Sequence, residues 1–217
     1  MKIACSSVLS SQRSRRRVRP IGSTPGWSTT RRGAVMLFYV SMPSISPTLV
    51  ILDVETTGLK PEEGHDVIEV AAQKIQDKLV VGEYVSLIET GRILDPEVVR
   101  VHGISNELLA VEGQAASKVF PGLVAFIGDC PIVGHNVNFD IGFINAHLER
   151  LGLPKLTNAL VDTLTYARKY LLMPSYSLGK VAAYLKIPQP LAHRAKADVE
   201  TTREVFWKLI EKAKGGK

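Results

Sequence analysis

The sequence predicts an α/β domain with a mixed central sheet flanked by helices. Three β-branched-rich segments come first along the chain, and short apolar strands then alternate with segments of helical periodicity. This order of elements is typical of a mixed sheet covered by helices. Hydrophobic residues make up 45% of the chain and charged residues 22%, which is ordinary for a globular protein and excludes global disorder.

The first three strands are separated by clear turn signals. Residues 49–54 form an apolar run that ends at a Thr-Thr-Gly sequence, which predicts a strand followed by a turn. Residues 67–75 and 79–88 are rich in β-branched side chains and flank a three-residue polar break. We therefore expect them to pair as antiparallel strands.

Strands and helices alternate in the rest of the domain. Short apolar runs predict strands at residues 132–133 and 160–161. Apolar residues at helical spacing, with Gly and Pro as stop signals, predict five helices at residues 115–128, 139–151, 164–172, 178–185 and 196–214.

The positive charge of the chain belongs to its N-terminal part. The net charge is +6, from 27 Lys and Arg against 21 Asp and Glu, a balance that favours a nucleic-acid partner. Eight of the 27 basic residues precede Asp53 and no acid does, which leaves 19 basic residues against 21 acids, a net charge of −2, for the rest. We expect a basic Ser/Arg-rich arm at residues 1–47 and one mildly acidic domain at residues 48–214.

Three interpretations of the arm are open. Its acid-free composition is typical of an organellar transit peptide, and equally of a disordered basic tail that holds nucleic acid. Alternatively the sequence starts too early, since Met36 and Met42 both lie shortly before the first strand. The longest apolar run near the N-terminus, residues 34–40, is far shorter than the ~20 residues of a membrane helix, so no membrane association is expected. Two cysteines, Cys5 and Cys130, cannot build a disulfide framework or a zinc cluster, which favours a cytoplasmic location.

Two carboxylates interrupt the first apolar strand. Asp53 and Glu55 are two residues apart, so both side chains project from the same face of the strand. Burying two like charges side by side is strongly unfavourable unless a cation compensates. The pair therefore predicts a metal site.

Two further acids fall on the apolar faces of predicted helices. Asp140 shares a face with Ile144, and Asp198 is in line with Val205. An alternative for Asp140 is a carboxylate that the dipole of its helix favours. His193, five residues before Asp198, has a side chain suited to general-base catalysis near neutral pH, although a surface histidine is the default for a single one.

Four inward acids and one histidine suit a two-metal hydrolase. Oxygen ligands of this kind select Mg²⁺ or Mn²⁺ rather than zinc. Two such ions activate a water and stabilise the leaving oxygen of a phosphodiester. The set therefore predicts phosphodiester hydrolysis with two ions per active site.

Three motifs resemble those of the DnaQ-like DEDDh 3′→5′ exonucleases. They are DVETTG at residues 53–58, GHNVNFD at residues 134–140 and HRAKAD at residues 193–198, and the resemblance extends to VHGIS at 101–105 and SYSL at 175–178. Over residues 47–212 the chain is similar to the epsilon proofreading subunit of bacterial DNA polymerase III and to the exonuclease domain of PolC-type polymerases. The resemblance implies a ribonuclease-H-like fold.

The resemblance also implies roles for the five residues. Asp53, Glu55 and Asp198 would bind the metal that holds the attacking water, and Asp53 would bridge to a second metal. Asp140 would help to hold that second metal. His193 would deprotonate the water. A sister subfamily has a tyrosine four residues before the last aspartate, where this chain has Arg194, so the histidine subtype is favoured.

A second group of residues resembles substrate-binding positions. The turn formed by Thr56, Thr57 and Gly58 would cradle the terminal nucleotide, and Leu59 would wedge against a base. His102 would lie near the substrate. Asn136 and its neighbour His135 would orient Asp140 or the phosphate. For all of these positions, ordinary turn chemistry or structural hydrogen bonding is the alternative.

The expected function is release of nucleoside 5′-monophosphates from the 3′ ends of single-stranded or frayed DNA, in proofreading or repair with a DNA polymerase as a candidate partner. Trimming of RNA 3′ ends is the alternative within the enzyme class. A non-catalytic nucleic-acid or polymerase adaptor is the alternative in another class, although an adaptor has no chemical need for all five residues.

Overall fold

A five-stranded mixed sheet organises the protein. The computed structural model describes residues 48–189 and 193–215, so the predicted arm at residues 1–47 lies outside the described residues. The strands are β1 (Leu49–Thr56), β2 (Val67–Gln76), β3 (Leu79–Leu87), β4 (Ile132–Gly134) and β5 (Leu160–Asp162). Their order is β3-β2-β1-β4-β5, in which β1, β2 and β3 pair antiparallel while β4 runs parallel to both β1 and β5. This arrangement confirms the predicted α/β class.

Helices cover both faces of the sheet. In chain order they are α1 (Pro96–His102), α2 (Asn106–Glu112), α3 (Ala116–Ile127), α4 (Val137–Arg150), α5 (Thr163–Tyr170), α6 (Leu178–Tyr184) and α7 (Ala195–Gly215), with one 3₁₀ turn at Pro61–Glu63. The positions of the five strands and of α3 to α7 agree with the prediction. None of the described helices combines the length and the apolarity that crossing a bilayer requires.

The prediction missed α1 and α2. Each buries a single residue, His102 in α1 and Leu109 in α2, so neither has the apolar stripe that indicates a helix. Local signals were nevertheless present at α1: the Asp95 side chain accepts a hydrogen bond from the Glu97 N–H, Pro96 occupies the first turn, and Gly103 closes the helix at φ +71°.

Alternate residues of β1 enter two different cores. Val50, Leu52 and Val54 pack into a large apolar cluster with residues of α3 and α4. Ile51, on the other face, packs with residues of β2, β4 and α7, among them Val199. This alternation places the side chains of Asp53 and Glu55 on the α7 face.

The second half of β1 has no parallel neighbour. β4 is three residues long, and it pairs with β1 only at Val50 and Ile51. Beyond Gly134 the chain turns into α4, and Asp140 in its first turn accepts a hydrogen bond from the Val54 N–H of β1. The carboxyl end of β1 is therefore free of a parallel strand, and ligands of open α/β sheets bind at such strand ends.

Candidate active site

Three of the predicted carboxylates converge at the carboxyl end of β1. Asp53, Glu55 and Asp198 each offer an oxygen, and these oxygens all lie within 4.8 Å of one another. The three side chains are half-buried. The strand supplies two of them by its two-residue spacing, and α7 supplies the third from its first turn.

The packing of α7 sets the position of Asp198. Val199 and Phe206 of this helix contact the β1 and β2 side chains Ile51 and Ala71. Asp198 is the fourth residue of α7, where the positive end of the helix dipole favours a carboxylate. The packing of α7 on the sheet therefore brings Asp198 to β1.

His193 lies just ahead of α7. Its backbone has φ +62°, in the left-handed region, and its N–H donates to Asp198 Oδ2 at 3.3 Å. The side chain is exposed. The predicted base is thus tied to a predicted metal ligand through its backbone, while its imidazole faces solvent.

Asp140 reaches the site from α4 on the other side of β1. Its side chain is buried, with 3% of the residue exposed. Its Oδ1 accepts a hydrogen bond of 3.0 Å from the Val54 N–H, a group that the short β4 leaves without a strand partner. Because Val54 stands between Asp53 and Glu55, this bond brings the fourth carboxylate to the other three.

Burial raises the pKa of all four carboxyl groups, and negative charges nearby add to the increase. Burial, followed by the charges of Asp140 and Glu55, raises the pKa of Asp53 well above its usual range. Burial, then the charge of Asp198, raises the pKa of Glu55 to about 8. Burial also raises the pKa of Asp140 to about 8, against the hydrogen bonds that it accepts, and burial raises that of Asp198. Four such groups cannot all be ionised near neutral pH unless a cation compensates them.

The donor set fits a hard divalent cation. The clustered ligand atoms are carboxylate oxygens, and neither cysteine nor histidine belongs to the cluster among the described residues. Oxygen donors of this kind suit Mg²⁺ and Mn²⁺. The chemistry of the site is therefore compatible with divalent-metal binding by Asp53, Glu55 and Asp198, with Asp140 beside them.

The turn after β1 is built by its own side chains. Thr56 Oγ1 donates to the Gly58 carbonyl at 2.6 Å, and Thr57 Oγ1 accepts the Asp66 N–H at 2.9 Å and lies 3.2 Å from Nδ1 of His65. A Cβ at Gly58 would overlap the His65 ring, so the close approach of the imidazole requires glycine there. The hydroxyl groups are thus engaged in turn structure.

Leu59 stands out from this turn. As much as 79% of the residue is exposed, although leucine is apolar. This exposed apolar side chain, four residues after Glu55, is available for contact with an apolar or aromatic ligand surface.

His102 is buried at the end of α1, with 4% of the residue exposed. Its Nδ1 accepts the Ile104 N–H at 3.0 Å, so the ring in its neutral form carries hydrogen on Nε2. Burial lowers the pKa of His102, which favours that neutral form. Nε2 has no hydrogen-bond partner among the described residues.

Asn136 and His135 connect β4 to α4 by structural hydrogen bonds. Asn136 caps α4 with φ +67°, and its N–H donates to Asp162 Oδ1 at 2.8 Å. The His135 ring lies 2.9 Å from Thr163 Oγ1 and 2.7 Å from the Tyr176 carbonyl. The His135 hydrogen bonds agree with the alternative of a structural role, and the bond that fixes Asp140 comes from the β1 backbone.

Glu69 is a fifth acid beside the site that the sequence reasoning missed. It lies in β2 directly opposite Glu55, it is 1% exposed, and its charge raises the pKa of Glu55. The signal was present, since Glu69 interrupts an apolar strand just as Asp53 does. Asp162, whose charge raises the pKa of Asp140, was missed as well.

Comparison with known proteins places these observations in a family. The RNase_T exonuclease family model matches residues 50–206. PolC-type DNA polymerase III of Thermotoga petrophila is 35% identical over 167 residues, which are 77% of this chain and 12% of that protein. The corresponding polymerase of Streptococcus mutans is 34% identical over 179 residues, which are 81% of this chain and 12% of that protein. The chain thus spans about 12% of the length of these curated relatives.

Solved structures share the fold. The structure of exonuclease X in complex with 5′ overhanging duplex DNA has a TM-score of 0.60 at 24% identity, over 75% of this chain and 91% of that one. The E. coli exonuclease I complex with single-stranded DNA has a TM-score of 0.68 at 22% identity, over 76% of this chain and 41% of that one. These likenesses confirm the ribonuclease-H-like exonuclease fold. With the family model matched along most of the described domain, the chain belongs to the RNase_T exonuclease family.

Proposed function

We propose that this exonuclease depends on Mg²⁺ or Mn²⁺ and acts in the 3′→5′ direction on single-stranded or frayed DNA, releasing nucleoside 5′-monophosphates. One observation carries the proposal: Asp53, Glu55 and Asp198 converge within 4.8 Å, with Asp140 beside them and His193 at the solvent edge. An isolated cluster of buried acids destabilises a fold, so this arrangement is explained by a reaction that uses it.

Asp53, Glu55, Asp140 and Asp198 would hold two metal ions. When bound, the two ions supply a water of lowered pKa and stabilise negative charge on the leaving oxygen. The half-buried position of the carboxylates limits their contact with water and strengthens their interaction with a cation. The exposed His193 imidazole accepts the proton of the attacking water and can pass it to solvent.

The turn from Thr56 to Leu59 is proposed to bind the terminal nucleotide. Leu59 is exposed and follows Glu55 by four residues, so it can wedge against a base that is already unstacked. Thr56, Thr57 and Gly58 would contribute backbone groups, because their hydroxyls are engaged within the turn. His102 and Asn136 are proposed as further contacts, and the buried Nε2 of His102 would need a small local opening to reach a ligand.

The names of the relatives favour DNA over RNA. The curated relatives are DNA polymerases, and the neighbouring structures contain single-stranded or overhanging duplex DNA. Proofreading beside a DNA polymerase, or repair, is the setting that this likeness favours. RNA 3′ ends remain the competing substrate and form one arm of the test below.

The test uses DNA and RNA oligonucleotides of matched sequence, labelled at either the 5′ or the 3′ end. We expect the wild-type protein with Mg²⁺ or Mn²⁺ to release a labelled mononucleotide at once from 3′-labelled DNA and to shorten 5′-labelled DNA gradually. Chelator, Asp53→Asn and His193→Ala should each suppress release, whereas Glu149→Gln, which changes an exposed acid on α4, should not. Equal rates of release by Asp53→Asn and wild type would contradict the proposal. Faster cleavage of the RNA oligonucleotide than of the matched DNA would mean that RNA is the preferred substrate.

A further inference from the structure

A buried carboxylate outside the set of four lies beside Glu55. Glu69 of β2 is directly opposite Glu55 in the antiparallel pairing of β1 with β2, and only 1% of the residue is exposed. Like charges placed opposite each other across two strands are destabilising, and a buried carboxylate is strongly unfavourable without partners. Glu69 therefore needs compensation in the folded protein.

Arg194 and the first residue of α7 supply that compensation. The Arg194 guanidinium donates from Nη2 to Glu69 Oε1 at 2.7 Å and from Nε to Oε2 at 3.0 Å. The Ala195 N–H donates to the same Oε2 at 2.9 Å. The fork of the guanidinium fixes direction as well as distance, and the backbone bond satisfies a free N–H of the first helical turn. One buried side chain of the sheet thus holds both the residue before α7 and the residue that begins it.

The tethered segment carries two predicted catalytic residues. His193 directly precedes Arg194, and Asp198 lies one turn into α7. The φ of +62° at His193 is unfavourable for a residue other than glycine, and such a conformation persists only where the surroundings fix it. The Glu69 bonds to Arg194 and Ala195 provide that fixation immediately after His193.

We propose that Glu69 and Arg194 form a positioning pair that holds the start of α7, so that His193 and Asp198 keep their places opposite Glu55. The inference rests on the proposed nuclease function. Neither residue is assigned contact with the reacting atoms, since each acts through the backbone of residues 193–198. The pair couples the antiparallel half of the sheet to the helix that completes the acidic cluster.

The remainder of α7 does not depend on this pair. Val199 and Phe206 pack against the sheet, while Val205 and Leu209 pack against residues of α5 and α6. Loss of the pair should therefore displace the first turn of α7 and leave the rest of the helix in place.

A neighbouring ion pair provides a matched control. Lys196 Nζ lies 2.8 Å from Glu83 Oε2, so it links the same turn of α7 to β3, but its side chains are 50% and 37% exposed. Exposed pairs of this kind contribute little to stability or geometry. Lys196→Gln therefore removes a charge and an ion pair two residues from Arg194 without removing the proposed tether.

The experiment compares the full-length wild type with Arg194→Lys, Glu69→Gln, Lys196→Gln and Asp53→Asn. Arg194→Lys keeps the charge and removes the fork. We expect it to lower kcat by about 10- to 100-fold with little change in KM for single-stranded DNA, and to weaken Mn²⁺ binding, measured calorimetrically, by about tenfold. Glu69→Gln should act in the same direction, and Lys196→Gln should stay within about twofold of wild type in both measurements.

Thermal unfolding of each variant separates positioning from loss of fold. The inference is overturned if folded Arg194→Lys has the kcat and Mn²⁺ affinity of wild type while Asp53→Asn is inactive. It is overturned equally if the activity of Arg194→Lys falls only in proportion to its unfolded fraction. If Glu69→Gln does not fold, the kcat and Mn²⁺ affinity of Arg194→Lys alone test the inference. Full activity of Asp53→Asn would instead refute the proposed function itself.

Discussion

The two faces of β1 differ in what they contribute to the protein. On one face Val50, Leu52 and Val54 are buried among apolar side chains of α3 and α4. On the other face Ile51 is followed by Asp53 and Glu55, whose carboxyl groups crowd against a third from α7. A single strand therefore stabilises the fold on one side and carries a destabilising set of charges on the other.

Within the eight residues of β1, the side chains that stabilise the fold and the side chains proposed to act in the reaction therefore lie on opposite faces. One face stays apolar as far as Val54, whereas the apolar part of the α7 face ends at Ile51. Substitutions on the two faces should therefore have opposite consequences: loss of activity with a gain in stability on one, and loss of stability with retained chemistry on the other.

The largest effect is expected for Asp53→Asn. Removal of this charge should lower nuclease activity by about 10³-fold or more, since several kcal/mol of metal-dependent stabilisation are lost. In chelator the same variant should be more stable than wild type by about 1–2 kcal/mol, because a buried carboxyl group whose ionised form is disfavoured by its surroundings is replaced by a neutral amide. Rate assays and denaturant unfolding measure the two quantities. If Asp53→Asn were less stable than wild type in chelator, the contrast between the two faces of β1 would be contradicted.

Leu52→Ala, at the adjacent position on the apolar face, should do the reverse. The side chain is fully buried, and its truncation is expected to lower the free energy of unfolding by about 2–5 kcal/mol. Folded protein should keep its kcat and its Mn²⁺ affinity. Leu79→Ala on β3, where 68% of the residue is exposed, is the control and should change stability by less than about 0.5 kcal/mol.

The free energy of unfolding of the metal-free protein should depend on pH because the carboxyl groups on the α7 face of β1 titrate at raised pKa values. Burial raises the pKa of Glu55 from its ordinary value of 4.5 to about 8, so the folded state binds the proton more tightly than the unfolded state does. The free energy of unfolding should therefore fall as pH rises from about 4.5 to about 8. Saturating Mn²⁺ should remove this decline, as denaturant unfolding at a series of pH values would show. A metal-free protein whose stability rises over this range would contradict the assignment.

A smaller effect is expected at the turn that follows β1. Gly58→Ala places a methyl group against the His65 ring and should displace it from Thr57. We expect KM for single-stranded DNA to rise about fivefold, equivalent to about 1 kcal/mol, with little change in kcat. Gly142→Ala in α4 is the control, because open space surrounds that position and alanine should stabilise the helix by about 0.5–1 kcal/mol. Unchanged KM for Gly58→Ala would argue against a substrate role for the turn.

The sequence predicted the elements that obey periodicity. The helices α3 to α7 were found because apolar residues recur along them at helical spacing, and the five strands were found as apolar or β-branched runs bounded by turn signals. The helices α1 and α2 each bury only one residue and so have no apolar stripe, which leaves their capping residues as the signal that could have revealed them.

Part of the site depends on contacts that sequence spacing does not encode. Asp140 joins the other acids because β4 is short and leaves the Val54 N–H free to bond its side chain. The Glu69 contact with Arg194 spans 125 positions in the chain. Asp53 and Glu55 could be placed on one face from their spacing, whereas these long-range contacts required the sheet register.

The most direct test of metal binding by the carboxylates on the α7 face of β1 is calorimetric titration of Mn²⁺ into the metal-free protein. The titration is done at about pH 7 in buffers of different ionisation enthalpy. Glu55 and Asp140, each with a pKa of about 8, should be largely protonated before the metal binds. We predict release of about one to two protons per molecule on binding, and less release at about pH 9. Binding without proton release, or Mn²⁺ binding by Asp53→Asn that equals wild type, would contradict the account of β1 as a strand whose crowded carboxylates are compensated by divalent cations.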